Sequence, residues 1–525
     1  MNRGIYDSLY MPRFLLVYLF KSLEMNVLST QTIDQANAQI KPNTQINTAD
    51  VGIVHLGFGA FHRAHQALMT NRVMKELGGN WKIVGVNNWR AAGKLESETG
   101  AESEFASQDN LYTVAVGQDD HVELEVIGAI QEVLFSNQVE KILGYMTSEN
   151  VKVVSLTITE KGYCHHPSTG HLDLNNPLIQ HDLHNISQPH SAIGFLVSAI
   201  KTRKENGIAP FTPLTCDNLP ENGHVLKRVV LDFAEQLDPE LSQWIDANIH
   251  FPCSMVDRIV PQTTTADIDK ITTQLGVQDN CCVITEPFLQ WVIEDKFNNE
   301  RPAWESTSIA NIMLTDDVIP FENMKLRLLN GTHSSIAYLG YLSGYQTVSE
   351  TMRDPNFKTF IRYLMDKEIS PSVSVEGIDL EAYKDQLIER YQNTALQHRT
   401  WQIAMDGSQK LPQRFLQTIS YGLEHNIDIS GLVLAVAAWM KYVSGVDEQG
   451  NAIDVKDPLS GKFAQIWQQH SKSVSALVKE FLALDAIFST QLANNRVFKA
   501  QLIDALNRLI QYGAKHSVQQ FIQAV

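Results

Sequence analysis

The chain has 525 residues, of which 44% are hydrophobic and 19% charged. This composition is typical of a globular protein and not of a disordered chain, and the length predicts a large core and more than one domain. The formal net charge of -17 argues against a nucleic-acid-binding surface, because phosphate contacts need clustered Lys and Arg side chains. The five cysteines are odd in number and lack metal-ligand spacing, so we expect reduced thiols in a cytoplasmic protein.

Residues 1–50 are expected to form an extension that precedes the first domain. Within it, the segment RFLLVYLFK from Arg13 to Lys21 has an apolar core that is too short to span a bilayer. No small-residue cleavage site of the kind that ends a signal peptide follows it. We therefore expect that residues 1–24 do not belong to the mature fold and that the protein has no membrane partner. A helix on a membrane surface and a cleaved signal are the alternatives.

From Val51 the pattern changes to a strand, a glycine turn and a helix, VGIVHLG followed by FGAFHRAHQALM. Further strand-like runs begin near residues 81, 111, 122, 151 and 209. Buried strands that alternate with helices predict an α/β fold, a doubly wound, largely parallel sheet of the Rossmann type, over residues 51–315. Beyond about residue 320 the periodicity is helical, so we expect a mostly α-helical C-terminal domain over residues 316–525. The cleft between the two domains is the expected ligand site.

The turn GFGAFH after the first strand predicts a dinucleotide site. Gly57 suits the tight turn, Gly59 lets the backbone approach a pyrophosphate, and the helix start supplies N–H groups and a dipole. His62 stands where the usual fingerprint has a third glycine, so the pattern depends on its strand-turn-helix context. The candidate cofactor contacts are the turn and the end of the second strand, namely Gly57, Phe58, Gly59, Ala60, Phe61, His62 and Asn88.

The second strand leaves the choice between NAD and NADP open. It ends in NNWRAAGK, without the acidic residue that binds a ribose 2′-hydroxyl. Arg90 in this segment would suit a 2′-phosphate. These residues alone therefore favour neither cofactor.

Three polar residues lie where open α/β sheets bind ligands. Arg63, in the first turn of the helix, is a candidate for binding an anionic substrate, with a solvated helical turn as the alternative. Lys161 in TEKGYC is a candidate for binding a substrate carboxylate, with a surface pair with Glu160 as the alternative. Asn218 in CDNLPENG is expected to point into the cleft.

The segment MKLRLLNGTHS places Lys325, Asn330 and His333 on one broad face of a helix, at about 0°, 140° and 80° around its axis. An amine, an amide and an imidazole that converge there can hold and deprotonate an alcohol, provided that burial lowers the pKa of the lysine. This reading predicts a metal-free alcohol/ketone oxidoreductase. The alternative is a solvated lysine, a helix-terminal Asn-Gly pair and a structural histidine.

Two further segments, MVDRIVP and EPFLQWVIED, pair charged residues with apolar strands. We interpret them as the source of a buried ion pair that holds the domains together. The expected pairs are Asp257 with Arg258, or Glu286 with an arginine.

The chain resembles the polyol-specific long-chain dehydrogenase family, which contains mannitol 2-dehydrogenases and fructuronate (mannonate) reductases. The resemblance spans about residues 50–520 and rests on HLGFGAFHRAHQA, SLTITEKGYC, CDNLPENG, MVDRIVP, EPFLQWVIED, KLRLLNGTHS and DGSQKLP. It implies a Rossmann-type domain, a helical second domain and hydride transfer with NAD and no metal. It also implies that Lys325 is the catalytic lysine, with Asn330, His333 and Asn218 beside it, and that Lys410 contacts the substrate.

Within this family, TEKGYC and HRTWQIAMDGSQKLPQR look closer to fructuronate reductases. Lys161 stands where mannitol dehydrogenases tend to have glycine, and a cation there suits a hexuronate; Gln402, where they have arginine, argues the other way. The expected reaction is the reversible, NAD-dependent reduction of D-fructuronate to D-mannonate with a lysine general acid/base. Mannitol 2-dehydrogenase, another polyol dehydrogenase and a non-catalytic nucleotide sensor are the alternatives. We expect a small-molecule substrate and a monomer or small homo-oligomer.

Overall fold

The structure is a computed structural model that describes residues 25–43, 46, 48–87, 101–166, 169–308, 311–396 and 398–525. The apolar segment of residues 13–21, together with Asn88 and Arg90, therefore lies outside the described residues. From residue 25 the chain packs against the first domain. Leu28 is fully buried there, and isolated bridges join Val27 to Gln278 and Ile40 to Glu125.

The strands lie in the first part of the chain. They are β1 (Val51–Leu56), β2 (Lys82–Asn87), β3 (Tyr112–Gln118), β4 (His121–Ile127), β5 (Ile130–Phe135), β6 (Val153–Leu156), β7 (Thr212–Thr215), β8 (Ser254–Asp257), β9 (Val283–Thr285), β10 (Gln290–Glu294) and β11 (Ile312–Thr315). The helices between them are α1 (Ala60–Ala64), α2 (Gln66–Glu76), α3 (Ala101–Ser107), α4 (Val139–Met146), α5 (Thr159–Gly162), α6 (Pro177–His184), α7 (Ala192–Glu205), α8 (Asn222–Leu237), α9 (Pro239–Asn248) and α10 (Thr265–Leu275), with 3-10 turns at Ile33–Gln35 and Trp304–Ser306.

A parallel five-stranded sheet in the order β5-β2-β1-β6-β7 forms the centre of this domain. The central strands β1, β6 and β7 are mostly apolar and buried because both faces of the sheet are covered. In β1, Ile53 packs into the core on one face, while Val54 and Leu56 pack into the core on the other. The chain builds outward from β1 in one direction and then returns to place β6 on the other side. The carboxyl ends of β1 and β6 therefore flank the switch point at which Rossmann-type sheets bind ligands.

Two three-stranded sheets complete the domain, in the orders β4-β3-β9 and β11-β10-β8. The sequence pattern did not separate β3 and β4 from the parallel sheet, but they form an antiparallel hairpin. The reason is the connection, which consists of Asp119 and Asp120 alone, with Asp119 in the left-handed region at φ 51°. So short a turn cannot carry a parallel crossover.

The second part of the chain is helical. Its helices are α11 (Ile319–Met324), α12 (Thr332–Leu342), α13 (Val348–Arg353), α14 (Pro355–Tyr363), α15 (Leu380–Gln392), α16 (Thr400–Ala404), α17 (Gly407–Leu411), α18 (Gln417–His425), α19 (Ser430–Tyr442), α20 (Ser460–His470), α21 (Val474–Leu482), α22 (Thr490–Ala493), α23 (Arg496–Tyr512) and α24 (Ala514–Ala524). A 3-10 turn covers Ser370–Ser372, and π-helical segments cover Lys325–Gly331, Leu364–Ile369 and Pro412–Leu416. Helix α19 is buried nearly all round, as its almost uninterrupted apolar sequence requires. None of the helices in the described part of the chain is long and apolar enough to cross a membrane.

Candidate active site

The glycine turn between β1 and α1 has the shape of a pyrophosphate cradle. Gly57 has φ 97°, and a Cβ there would lie 2.1 Å from the carbonyl oxygen of Thr157, so the position needs glycine. A Cβ on Gly59 would meet only the Gly57 carbonyl oxygen, 3.8 Å away, among the described residues. Gly59 caps α1 without a side-chain hydrogen bond, and the first amides of a helix have no acceptor within it. This open, amide-lined turn fits a dinucleotide phosphate.

The side chains of the turn point into the domain. The Phe58 ring packs on Gly85 of β2, where an added Cβ would come within 2.4 Å of it. The His62 ring stacks on His55 with their centroids 3.4 Å apart, and burial lowers the pKa of His62 well below its ordinary value. A cofactor contact from Phe58 or His62 would therefore involve backbone atoms. The predicted cofactor contact at Asn88 lies outside the described residues.

Asp217 holds the loop that carries Asn218 against the neighbouring strand end. Its carboxylate accepts hydrogen bonds from the amides of Ile158 and Thr159, both at 3.0 Å, and from the Tyr163 hydroxyl at 2.8 Å. Burial raises the pKa of Asp217 to about 6, and these hydrogen bonds oppose the rise. The contacts tie the ends of β6 and β7 together and fix the backbone that precedes Asn218.

Lys325 begins a π-helical segment at the domain boundary and is almost completely buried. Its ammonium nitrogen donates a hydrogen bond to Asn218 Oδ1, which lies in the other domain. Burial lowers the pKa of Lys325 to about 8, with Arg414 acting in the same direction and Asp257 opposing it. The lysine therefore has the lowered pKa that proton transfer near neutral pH requires.

The π-helix changes the predicted geometry of the segment. In an ordinary α-helix Asn330 would lie about 140° around the axis from Lys325, but a π-helix pairs residues five apart and brings them onto the same side. Gly331 allows a second π-helical segment to approach, because an added Cβ would lie 2.8 Å from the carbonyl oxygen of Arg414. Arg414 in turn donates to Ser334 Oγ at 2.9 Å.

His333 follows on α12 and is buried beside two aromatic rings. It stacks on Tyr391 at 5.5 Å between centroids and meets His398 edge-on at 4.8 Å. Burial lowers the pKa of His333 well below its ordinary value, and His398, Arg414 and nearby cations add to the effect. A neutral imidazole near pH 7 favours orientation of a substrate over uptake of a proton by this residue.

A buried ion-pair network joins the two domains next to this site. Arg390 on α15 donates to both oxygens of Asp257 at 2.8–2.9 Å and to both oxygens of Glu286 at 2.8–2.9 Å. The expected Glu286–arginine pair is thereby confirmed, whereas Asp257 pairs with Arg390 and not with its neighbour Arg258. Arg258 donates instead to the carbonyl oxygens of Ala64 and Glu286.

Lys410 and Arg414 bring two more cations to this region. Lys410 is half-buried and donates to the carbonyl oxygens of Ile403 at 3.3 Å and Met405 at 2.5 Å. Burial and then Arg414 lower its pKa to about 8. The acidic neighbours of Lys410 are Asp406, Glu160 and Asp457. Burial raises the pKa of Glu160, and Lys410 and Arg414 oppose this rise. Lys161 is exposed at the end of α5, so its neighbour Glu160 is the residue that faces these cations.

Arg63 is engaged inside the first domain. Its guanidinium donates to the Cys281 carbonyl oxygen at 2.6 Å and lies over the rings of Phe105 and Tyr112, at 5.4 and 5.7 Å. These contacts favour a structural role for Arg63 over the predicted contact with an anionic substrate. The Arg63 guanidinium is already held by Cys281, which lies just before β9.

The sequence patterns missed two residues of the site, Arg390 and Arg414. For Arg414 a signal was available, since it follows Lys410 by four positions and such residues share a helical face. For Arg390, in the segment IERYQN, no local signal distinguishes it from a surface arginine. Its partners lie 104 and 133 positions away in the chain.

Two family models match this chain. The mannitol dehydrogenase Rossmann domain matches residues 51–306, and the mannitol dehydrogenase C-terminal domain matches residues 317–510. The chain belongs to the mannitol dehydrogenase family. Like the family, it is an oxidoreductase that acts on CH–OH groups, with a Rossmann-type domain followed by a helical domain.

Several similar proteins align with nearly the whole length of this mannitol dehydrogenase family member. An uncharacterized oxidoreductase of Escherichia coli is 47% identical over 89% of the chain and 93% of its own length. The D-mannonate oxidoreductase of the same organism is 45% identical over 93% of the chain and 99% of its own length. The solved ternary complex of Pseudomonas fluorescens mannitol 2-dehydrogenase with NAD and D-mannitol is 37% identical with a TM-score of 0.85, covering 94% of this chain and 99% of that one.

Proposed function

We propose that the protein catalyses the reversible, NAD-dependent reduction of D-fructuronate to D-mannonate, with Lys325 as the general acid/base. The observation that carries the proposal is the buried Lys325 ammonium held by Asn218 across the domain boundary, with its pKa lowered to about 8. At that pKa both the acid and the base form are populated near neutral pH, so the same residue serves both directions of the reaction.

The proposed chemistry assigns a role to each neighbour. Bound NADH would supply a hydride to the carbonyl carbon of the substrate. Lys325 donates its proton to the carbonyl oxygen during reduction and removes it from the hydroxyl during oxidation. Asn218 accepts from Lys325 through Oδ1, which leaves its amide N–H groups for the developing oxyanion, and Asn330 adds a second amide. Neutral His333 orients the substrate. No step in this scheme requires a metal.

Two features support a sugar acid as the substrate. One is the 45% identity, over nearly full lengths, with a relative named D-mannonate oxidoreductase. The other is the pair of cations, Lys410 and Arg414, in the helical domain close to Lys325 and His333. A carboxylate that leaves water needs charge-assisted hydrogen bonds of the kind these side chains offer. Lys161, exposed beside Glu160 at the end of α5, is a third candidate for this role.

D-Mannitol and D-fructose are the second candidate pair. The structure of the mannitol 2-dehydrogenase with NAD and D-mannitol supports it, as does Glu160, which reduces the positive charge around Lys410 and Arg414. A neutral polyol would need no surplus of cations.

A substrate panel tests the proposal. Oxidation of NADH and of NADPH is followed with D-fructuronate and D-fructose, and the reverse reaction with D-mannonate and D-mannitol. We expect kcat/KM for D-fructuronate to exceed that for D-fructose by roughly 10- to 100-fold, the value of a hydrogen bond to a charged group. A preference for D-fructose would establish the mannitol activity instead, and no turnover with any of them would support a nucleotide-binding sensor.

A further inference from the structure

A histidine, a cysteine and a glutamate, to which the proposed reaction assigns no part, converge where α8 meets β8 and β10. Cys253 directly precedes β8, and Glu294 is the last residue of the antiparallel neighbour β10. The Glu294 amide donates to the Cys253 carbonyl oxygen, and the Cys253 amide donates to Glu294 Oε2, both at 3.0 Å. The strand register thus fixes the two side chains next to each other, and both residues are buried.

Gly223 brings the histidine to this pair. It lies in the first turn of α8, and a Cβ there would come within 2.5 Å of the Phe251 carbonyl oxygen and 2.7 Å of the Cys253 amide nitrogen. Glycine therefore allows α8 to rest directly on the chain that leads into β8. His224 follows at once, and the ligand atoms of His224, Cys253 and Glu294 all lie within 4.8 Å of one another.

We propose that His224, Cys253 and Glu294 form a binding site for a divalent cation of the zinc class. A thiolate, an imidazole and a carboxylate are the mixed S, N and O ligands that Zn²⁺ and Co²⁺ take, whereas Mg²⁺ and Ca²⁺ prefer oxygen alone. Zinc bonds of about 2.0–2.3 Å place tetrahedral ligand atoms roughly 3.5 Å apart. Ligand atoms that now lie up to 4.8 Å apart would therefore have to approach one another by about 1 Å. His224 can supply this movement, because its side chain is 49% exposed.

The surroundings of the site favour a cation. The Glu221 carboxylate lies 3.1 Å from His224 Nδ1, where it would orient the imidazole as carboxylates do for metal-ligating histidines, and a water molecule would complete the ligand set. Lys296 Nζ lies 3.2 Å from Oε1 of the buried Glu294, so a bound cation would replace this ion pair, and the Lys296 side chain, 49% exposed, can move into solvent. On binding, the Cys253 S–H bond breaks, its proton passes to solvent and a metal–sulfur bond forms.

Titration with Co²⁺ tests the site without any use of turnover. Chelator-treated, dialysed protein is titrated with Co²⁺ and then with Zn²⁺ as competitor, and the thiolate-to-cobalt charge-transfer absorption is recorded. We expect one equivalent of Co²⁺ to produce this absorption and Zn²⁺ to remove it. The absorption is expected to be absent in Cys253→Ser, and His224→Gln is expected to weaken Co²⁺ binding at least tenfold.

Matched variants make the result decisive. Cys164→Ser removes another buried free thiol, and His121→Gln removes another exposed histidine; both are expected to bind Co²⁺ like the unchanged protein. Circular dichroism and thermal unfolding establish that each variant is folded. A thiolate absorption that persists in folded Cys253→Ser, or no such absorption in the unchanged protein, overturns the proposal. If Cys253→Ser does not fold, unchanged Co²⁺ affinity in His224→Gln overturns it as well.

Discussion

Lys325 donates a hydrogen bond to Asn218 across 107 positions of sequence and across the boundary between the two domains. The lysine comes from the π-helical segment that opens the helical domain, and the asparagine comes from the loop after β7. Arg390, bound to Asp257 and Glu286, fixes the same two domains together beside this contact. The candidate site therefore exists only when the domains are docked, and its chemistry depends on their interface.

Replacement of Lys325 by alanine is expected to remove the general acid/base. We expect kcat to fall by roughly 10²- to 10⁴-fold, the usual contribution of such a group, while the Kd for NADH changes little. Single-turnover kinetics and NADH fluorescence titration measure the two quantities. Lys479→Ala, which removes an exposed lysine on α21, serves as the control and is expected to keep kcat. A kcat for Lys325→Ala within tenfold of the unchanged protein would refute the assignment.

The lowered pKa of Lys325 predicts opposite pH profiles for the two directions. Ketone reduction needs the ammonium form, so its kcat/KM should fall as pH rises through about 8, and alcohol oxidation should rise over the same range. For a lysine with the ordinary pKa of 10.5, these changes in kcat/KM would occur near pH 10.5. Lys410 also has a pKa of about 8, so the profiles are repeated with Lys410→Met. If the change of kcat/KM near pH 8 disappears in that variant, it reports the titration of Lys410 and not that of Lys325.

Loss of Arg390 is expected to destabilise the protein strongly. Arg390→Met leaves Asp257 and Glu286 as buried carboxylates without their cation, which costs about 3–5 kcal/mol of unfolding free energy. Arg362→Met is the matched control, because Arg362 pairs with three acidic residues but is far more exposed, 31% against 6%. Its loss is expected to cost about 1 kcal/mol or less. Denaturant unfolding of both variants measures the difference, and equal losses would contradict the proposed role of the interface.

The two glycines of the turn are expected to respond differently to alanine. Gly57→Ala forces a Cβ against the Thr157 carbonyl oxygen at positive φ, so we expect a large loss of stability or no folded protein. Gly59→Ala has room for its Cβ, so it should fold normally while the Kd for NADH rises at least several-fold. Thermal unfolding and NADH titration separate these outcomes. Unchanged NADH affinity in Gly59→Ala would argue against pyrophosphate binding at this turn.

Local patterns were sufficient to predict most strands of the first domain and the change to a helical second domain, but not β5 or β11. Residues that are close in the sequence decide whether a segment forms a strand, a turn or a helix. This is so for the continuous apolar runs, for the glycine turn that follows the strand beginning at Val51, and for the helical periodicity beyond residue 320. The spacing of Lys325, Asn330 and His333 likewise identified the segment that carries the lysine. By contrast, the antiparallel pairing of β3 with β4 depends on the two-residue turn between them, which the apolar pattern does not include.

The arrangement and the electrostatics of the site required the tertiary structure. The amino-acid sequence is enough to identify the candidate side chains, including Lys325, Asn330, His333 and Asn218. Only the docked domains decided that Arg390 joins Asp257 to Glu286, that Glu160 rather than Lys161 faces Lys410, and that a π-helix aligns Asn330 with Lys325. The physical reason is that burial, which lowers the pKa of Lys325, comes from atoms distant in the chain.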